Sequence, residues 1–252
     1  MLSKAQISFI TSLQHKKFRK QHGLFIVEGI KSVLEFIHSA YVIDTVYTTA
    51  ETLTKMSNLP HKIKCITTSE SDFKKISSLT SPQGILALIK IPTDDAVNWE
   101  EIRQQHIIAL DNIQDPGNLG TIIRTAEWFG IKHIFCSIGT VDAYNTKVVQ
   151  ATMGSLSRVQ LHYTDLIPFI KQSKMTLYGA LLEGKSIYQT NFQKTGVIIM
   201  GNEGNGISKE IIEQINHAVT IPRIGEAESL NVAVATTIFC SEIARQKLTN
   251  NI

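Results

Sequence analysis

The sequence predicts an α/β protein in two parts: a small N-terminal α/β domain, then a larger domain built on a mainly parallel sheet. Short apolar, β-rich runs alternate with helix-length stretches along the whole chain, which is the pattern of layered α/β architecture. A polar break containing a proline, Ile91-Pro-Thr-Asp-Asp-Ala-Val-Asn98, interrupts that alternation and places a linker at residues 93–100. The chain has 252 residues, 43% hydrophobic and 19% charged, enough for one large core or two smaller ones and too apolar for a disordered chain.

In the first part, residues 1–92, strands are expected at 24–27, 43–47, 63–67 and 85–89, where β-branched and aromatic residues cluster. Helices are expected between them at 30–38, 50–57 and 69–78. The second part, residues 101–252, restarts at 106–111 with His-Ile-Ile-Ala-Leu-Asp. It continues with strands at 132–137, 159–163, 177–182, 197–200 and 218–221, mostly separated by helical segments, and closes on a long helix at 230–248. Strands separated by helices pair in parallel and bind ligands outside their carboxyl ends, so the loops there carry the candidate chemistry.

Several classes are excluded at this point. The longest apolar runs, 85–89 and 197–200, are strand-sized, whereas a membrane span needs about 20 apolar residues. The first residues lack the apolar core of a secretory signal, so a cytoplasmic protein is expected. Cys65, Cys136 and Cys240 form no CxxC pair and read as buried thiols, and no metal site is expected.

The net charge of +3 is unevenly spread. Lys and Arg outnumber Asp and Glu twelve to eight in residues 1–95, and trail them thirteen to fourteen in the rest. At the start, Lys4, Lys16, Lys17, Arg19, Lys20 and Lys31 face only Glu28. A basic first segment before a near-neutral body fits a polyanion-binding domain; a solvated helix face is the plainer alternative.

Three loops stand out. After the strand at 106–111 comes Asp115-Pro-Gly-Asn-Leu-Gly-Thr-Ile-Ile-Arg-Thr-Ala: Pro116 and Gly117 turn the chain, Asn118 is expected to cap the next helix, and Arg124 lies more than a turn inside it. After 197–200 comes Gly201-Asn-Glu-Gly-Asn-Gly-Ile-Ser208. Its glycines let backbone approach a ligand, while Glu203 argues against a phosphate and for a neutral or cationic group. The third, Ile221-Pro-Arg-Ile-Gly-Glu-Ala-Glu-Ser-Leu-Asn231, leads into a small-residue helix start; Ser229 reads as the N-cap, which leaves Asn231 without a structural role. Gly179-Ala-Leu-Leu-Glu-Gly-Lys-Ser186 also matches the phosphate-loop pattern GxxxxGK[ST], but its apolar middle continues a strand and no helix start follows, so it reads as a chance match.

Together, Asn118-x-Gly120-x-x-x-Arg124, Gly201-Asn-Glu-Gly-x-Gly-Ile-Ser208, and Ile221-Pro222 with Ser229-Leu-Asn-Val232 resemble, in order and spacing, the three motifs of the SpoU (TrmH-like) branch of the SPOUT methyltransferases. Lys20-Gln-His-Gly-Leu-Phe-Ile-Val-Glu-Gly29 is similar to the opening of the ribosomal-protein-type substrate-binding domain found in many members. The resemblance implies methyl transfer from S-adenosylmethionine to a ribose 2′-hydroxyl of RNA, a C-terminal segment threaded as a deep trefoil knot, and a homodimer.

It further implies a cofactor site of Leu181, Gly201, Asn202, Glu203, Gly204, Ile221, Ser229 and Leu230, and a catalytic set of Arg124, Asn118, Glu203, Ser229 and Asn231. RNA contacts are assigned to Lys16, Lys17, Arg19 and Lys20. Family proposals make the arginine a general base, but a guanidinium stays protonated in proteins, which favours phosphate anchoring and stabilisation of the developing alkoxide. By domain layout, ribosomal RNA is the expected substrate; transfer RNA, or a non-catalytic RNA-binding role, is the alternative. Arg223 and the pair Thr236-Thr237 depart from the commonest pattern, outside the catalytic set.

Overall fold

A computed structural model describes residues 1–56, 60, 62–93 and 97–250. The elements in order are α1 (Lys4–Ser12), α2 (Lys16–His22), β1 (Leu24–Glu28), α3 (Ile30–Ile37), β2 (Ile43–Thr49), α4 (Ala50–Lys55), β3 (Cys65–Thr68), α5 (Glu70–Ile76) and β4 (Ile85–Lys90). Then come α6 (Trp99–Ile102), β5 (His106–Leu110), α7 (Pro116–Trp128), β6 (His133–Cys136), α8 (Thr146–Thr152), β7 (Gln160–Tyr163), α9 (Leu166–Ser173), β8 (Leu177–Ser186), β9 (Gly196–Met200), α10 (Lys209–Ile212), β10 (His217–Thr220) and α11 (Val232–Asn250). Of the span read as linker, residues 94–96 lie outside the described residues. Trp99 and Glu100 already belong to α6, because Asn98 caps it and Trp99 stacks on Phe169.

The chain forms two compact units. The first comprises Met1–Thr93 together with Asp142–Arg158, the second Asp94–Val141 with Val159–Ile252. In the first, a four-stranded sheet runs β1-β4-β2-β3, with β4 antiparallel to both neighbours and β2 parallel to β3. All five positions of β1 are buried, so both faces of this strand are covered and its apolar run has no polar alternation. Leu24 and Ile26 join Ile10 of α1, Leu13 at its C-cap, and Phe73 and Ile76 of α5, while Phe25, pointing the opposite way, meets Phe36 of α3 and Tyr144.

Two side-chain expectations, at Arg19 and Cys65, are corrected here. Arg19 is 2% exposed: its Nη2 meets Asp142 Oδ2 at 2.6 Å and its Nη1 donates to the carbonyls of Leu13 and Gln14. A guanidinium occupied in this way is not an RNA contact. It pins α2 from beneath, leaving Lys16, Lys17 and Lys20 exposed on the same helix. Helix α8 and its flanks are drawn into this unit by Asp142, by contact with β1 and by the Arg158–Glu35 ion pair, whereas a division at 93–100 assigns them to the second part. Cys65, expected to be buried, is exposed on the edge strand β3; Cys136 and Cys240 are buried.

The second unit carries a six-stranded, wholly parallel sheet in the order β10-β8-β9-β5-β6-β7. One face packs Ile107, Ala109, Val197 and Ile199 against Leu166, Phe169 and Ile170 of α9. On the other side α11 packs along β9 and α7. The Gly179–Ser186 letters of the phosphate-loop pattern fall inside β8, followed by a short 3-10 turn, so no loop exists there to wrap a phosphate.

His106 opens β5 at 1% exposure, and neither ring nitrogen finds a partner of good hydrogen-bond geometry among the described residues. Burial, reinforced by Lys247 and only partly offset by the Gln193 main chain, pushes its imidazole from 6.5 down to about 4. The unfolded chain therefore takes up this proton first as pH falls. The stability His106 contributes is complete above about pH 6.5 and is lost between there and about pH 4, on the order of 3 kcal/mol in all. Urea unfolding midpoints measured across that window should fall with pH, and His106→Gln should flatten that part of the dependence.

Candidate active site

The three motif loops sit at the carboxyl ends of β5, β9 and β10, the first two of them neighbouring strands. Helix α7 starts differently from the sequence expectation. Asp115, not Asn118, is its N-cap, accepting from Asn118 N at 2.8 Å, with Pro116 in the first turn where its missing N–H costs nothing. That frees the Asn118 side chain. Its Nδ2 donates to Glu203 Oε1 at 2.9 Å and its Oδ1 accepts from Asn231 Nδ2 at 2.9 Å.

Asn231, not Ser229, caps α11, its Oδ1 accepting from the backbone N–H of Ala233 at 2.9 Å and of Val234 at 3.3 Å. An amide oxygen committed to the helix end must turn its NH₂ outward, so Asn118 offers oxygen to Asn231 and NH₂ to Glu203. The polarity of the helix terminus thus orients a carboxylate two side chains away.

The glycine loop is closed by paired backbone bonds between Asn202 and Gly206, 2.9 Å each way. Asn202 Oδ1 accepts from Gly204 N and Asn205 N, and its Nδ2 reaches the Asn112 carbonyl at 2.8 Å. A side chain at Gly201 would collide with the main chain of Gly206 and Ile207, so glycine is required there for close approach.

The structure therefore joins Asn118, Glu203, Asn231 and Asn202 by direct hydrogen bonds. Arg124 is exposed on α7, and among the described residues nothing holds its guanidinium. Ser229 and Leu230 are exposed just before the Asn231 cap, Ile221 and Leu181 are half-buried, and Gly204 is exposed at the loop tip. Leu182 and Ile224 add strongly exposed apolar surface, at 75% and 101%. Arg223 donates to the Ala227 carbonyl at 3.3 Å and closes its own loop. Sequence reading missed Asp111 and Asn112, which brace the glycine loop; the one available signal was a polar pair at the carboxyl end of a buried strand.

This sheet and loop cluster define the SPOUT class of methyltransferases. The chain belongs to the SpoU rRNA Methylase family, whose model matches residues 105–241, and residues 4–87 match the MRM3-like substrate binding domain. It is 32% identical over 230 residues to the 23S rRNA (guanosine(2553)-2'-O)-methyltransferase of Bacillus subtilis, covering 90% of each protein. A putative RNA methyltransferase of the TrmH family from Porphyromonas gingivalis has a similar structure, with a TM-score of 0.88, 39% identity, and 98% of this chain and 99% of the other covered. An AdoMet-bound rRNA methyltransferase from Sinorhizobium meliloti matches with a TM-score of 0.85, 27% identity and 97% of both chains.

Proposed function

We propose that the protein methylates a ribose 2′-hydroxyl of ribosomal RNA with S-adenosylmethionine. The observation that carries this reading is the Asn231–Asn118–Glu203 hydrogen-bonded chain, which locks the three motif loops together where a parallel sheet binds ligands. The residues fit the cofactor: the span from Gly201 to Ile207 carries no Lys or Arg, places a carboxylate at its exposed tip, and lies in a domain with exposed leucines at 182 and 230. When bound, the cofactor supplies an electrophilic methyl group on a cationic sulfur.

The chain's own residues then orient and polarise. Gly201, Asn202, Glu203 and Gly204, with backbone at Ile221 and Leu230 and the side of Leu181, hold the cofactor. Arg124 anchors the RNA phosphate and stabilises negative charge developing on the 2′-oxygen, with Ser229 and Asn231 beside it. Residues 1–92 serve as the RNA-binding domain and 101–252 as the catalytic domain, apart from the 142–158 segment that packs within the first unit. The same reading carries a knotted C-terminal segment, a homodimer and a cytoplasmic location; no described helix is long and apolar enough to cross a membrane.

Incubating the protein with labelled S-adenosylmethionine and ribosomal RNA, then mapping 2′-O-methyl sites, tests the proposal. Label confined to bases or to transfer RNA would overturn it. RNA capture is assigned to Lys16, Lys17 and Lys20. Reversing these three charges should weaken RNA binding and make its log–log salt dependence shallower by about two to three units. Cofactor affinity, read by calorimetry, should not change.

A further inference from the structure

We propose that Asp111 is a positioning residue that braces the glycine loop at both ends and thereby sets cofactor affinity; this rests on the reading of residues 201–204 as the cofactor loop. The backbone N–H of Asp111 donates to the Met200 carbonyl at 2.9 Å, the last main-chain contact before the loop begins. Its carboxylate Oδ2 accepts from Ser208 N at 2.7 Å, where the loop ends. Asp111 is 8% exposed, so this bond is shielded from competing water.

The next residue completes the clamp. Asn112 adopts a left-handed conformation, φ 60°, which turns its carbonyl to the Asn202 side chain at 2.8 Å, and its N–H is held by Ser137 Oγ at 2.8 Å. A Cβ at Gly139 would strike the Asn112 side chain, so Gly139 makes room for this turn. The start, middle and end of the loop are thus tied to two consecutive residues of the β5 end.

The need for such a clamp follows from composition. Three glycines within residues 201–206 give the free loop many conformations, and a ligand that binds one of them has its affinity reduced by the fraction of time the loop is elsewhere. Bracing both ends raises that fraction without any contact between Asp111 and the cofactor.

Calorimetric titration with S-adenosylmethionine on the full chain tests this. Asp111→Ala should raise Kd by about 10- to 100-fold, with kcat at saturating cofactor changed much less. Asp111→Asn, which keeps an acceptor for Ser208 N–H, should restore most of the affinity. Ser208→Pro removes the donor from the other side; its φ of −61° suits proline, and it decides the question if Asp111→Ala does not fold. Wild-type affinity in both Asp111→Ala and Ser208→Pro, or an asparagine variant as weak as alanine, overturns the clamp. Failure of the wild-type protein itself to bind the cofactor overturns the site reading instead.

Discussion

Arg124→Ala should lower kcat/KM for methyl transfer by about 10²- to 10³-fold, the effect expected of removing a group in the oxyanion-stabilising role proposed for it. Cofactor affinity should stay near the wild-type value, because residues 201–204 and their hydrogen bonds lie elsewhere. Helix α7 fixes the backbone of Arg124 through the Asp115 cap, and the Asn118 side chain one turn and a half earlier is tied to Glu203 and Asn231. The backbone of Arg124 is thereby fixed, while among the described residues nothing engages its exposed guanidinium. Arg124→Lys separates two accounts. If the planar fork holds a phosphate bidentately, lysine should lose most of the activity; near-normal turnover with lysine would show that a point charge suffices. A pH–rate profile separates anchoring from general-base action, since a guanidinium that stays protonated contributes no titration near neutrality.

Arg19→Ala should destabilise the N-terminal unit by about 3–5 kcal/mol, because it strands a carboxylate that is itself mostly buried and removes donors from two carbonyls. Thermal or urea unfolding followed by circular dichroism measures this; both tryptophans, Trp99 and Trp128, lie in the other unit and do not report on it. Replacing both partners, Arg19→Met with Asp142→Leu, should recover much of the loss, since neither charge is then buried alone. Lys16→Ala on the same helix should change stability by less than about 0.5 kcal/mol. A comparable loss from both single substitutions would contradict the distinction between the buried and exposed cations of α2.

Strand and helix positions were legible wherever burial imposes a period. The runs at 24–27, 85–89, 106–111 and 197–200 became β1, β4, β5 and β9 with shifts of a residue or so, because a doubly covered strand must be apolar throughout. The three motif loops were legible because glycine, proline and asparagine have few alternative uses at strand ends. Strand direction in the first unit was not: β4 lies antiparallel between β1 and β2 while β2 pairs in parallel with β3, and nothing local distinguishes these pairings.

The alternating α/β order, the basic first segment, the three loops and, through their spacing, the family can all be read from the residues alone. Each is a property of residues close together in the chain. Which charges are available, and which side chains act on one another, is set instead by long-range packing. Arg19 and Lys20 are adjacent cations in the sequence, but one is sealed against Asp142, 123 residues away, and the other faces water. Asn118 and Asn231 exchange expected roles with Asp115 and Ser229 because a cap is chosen by where the first helical N–H points. Asp111 brackets a loop whose far end is 97 residues on. Burial and long-range hydrogen bonding depend on neighbours that the fold alone supplies.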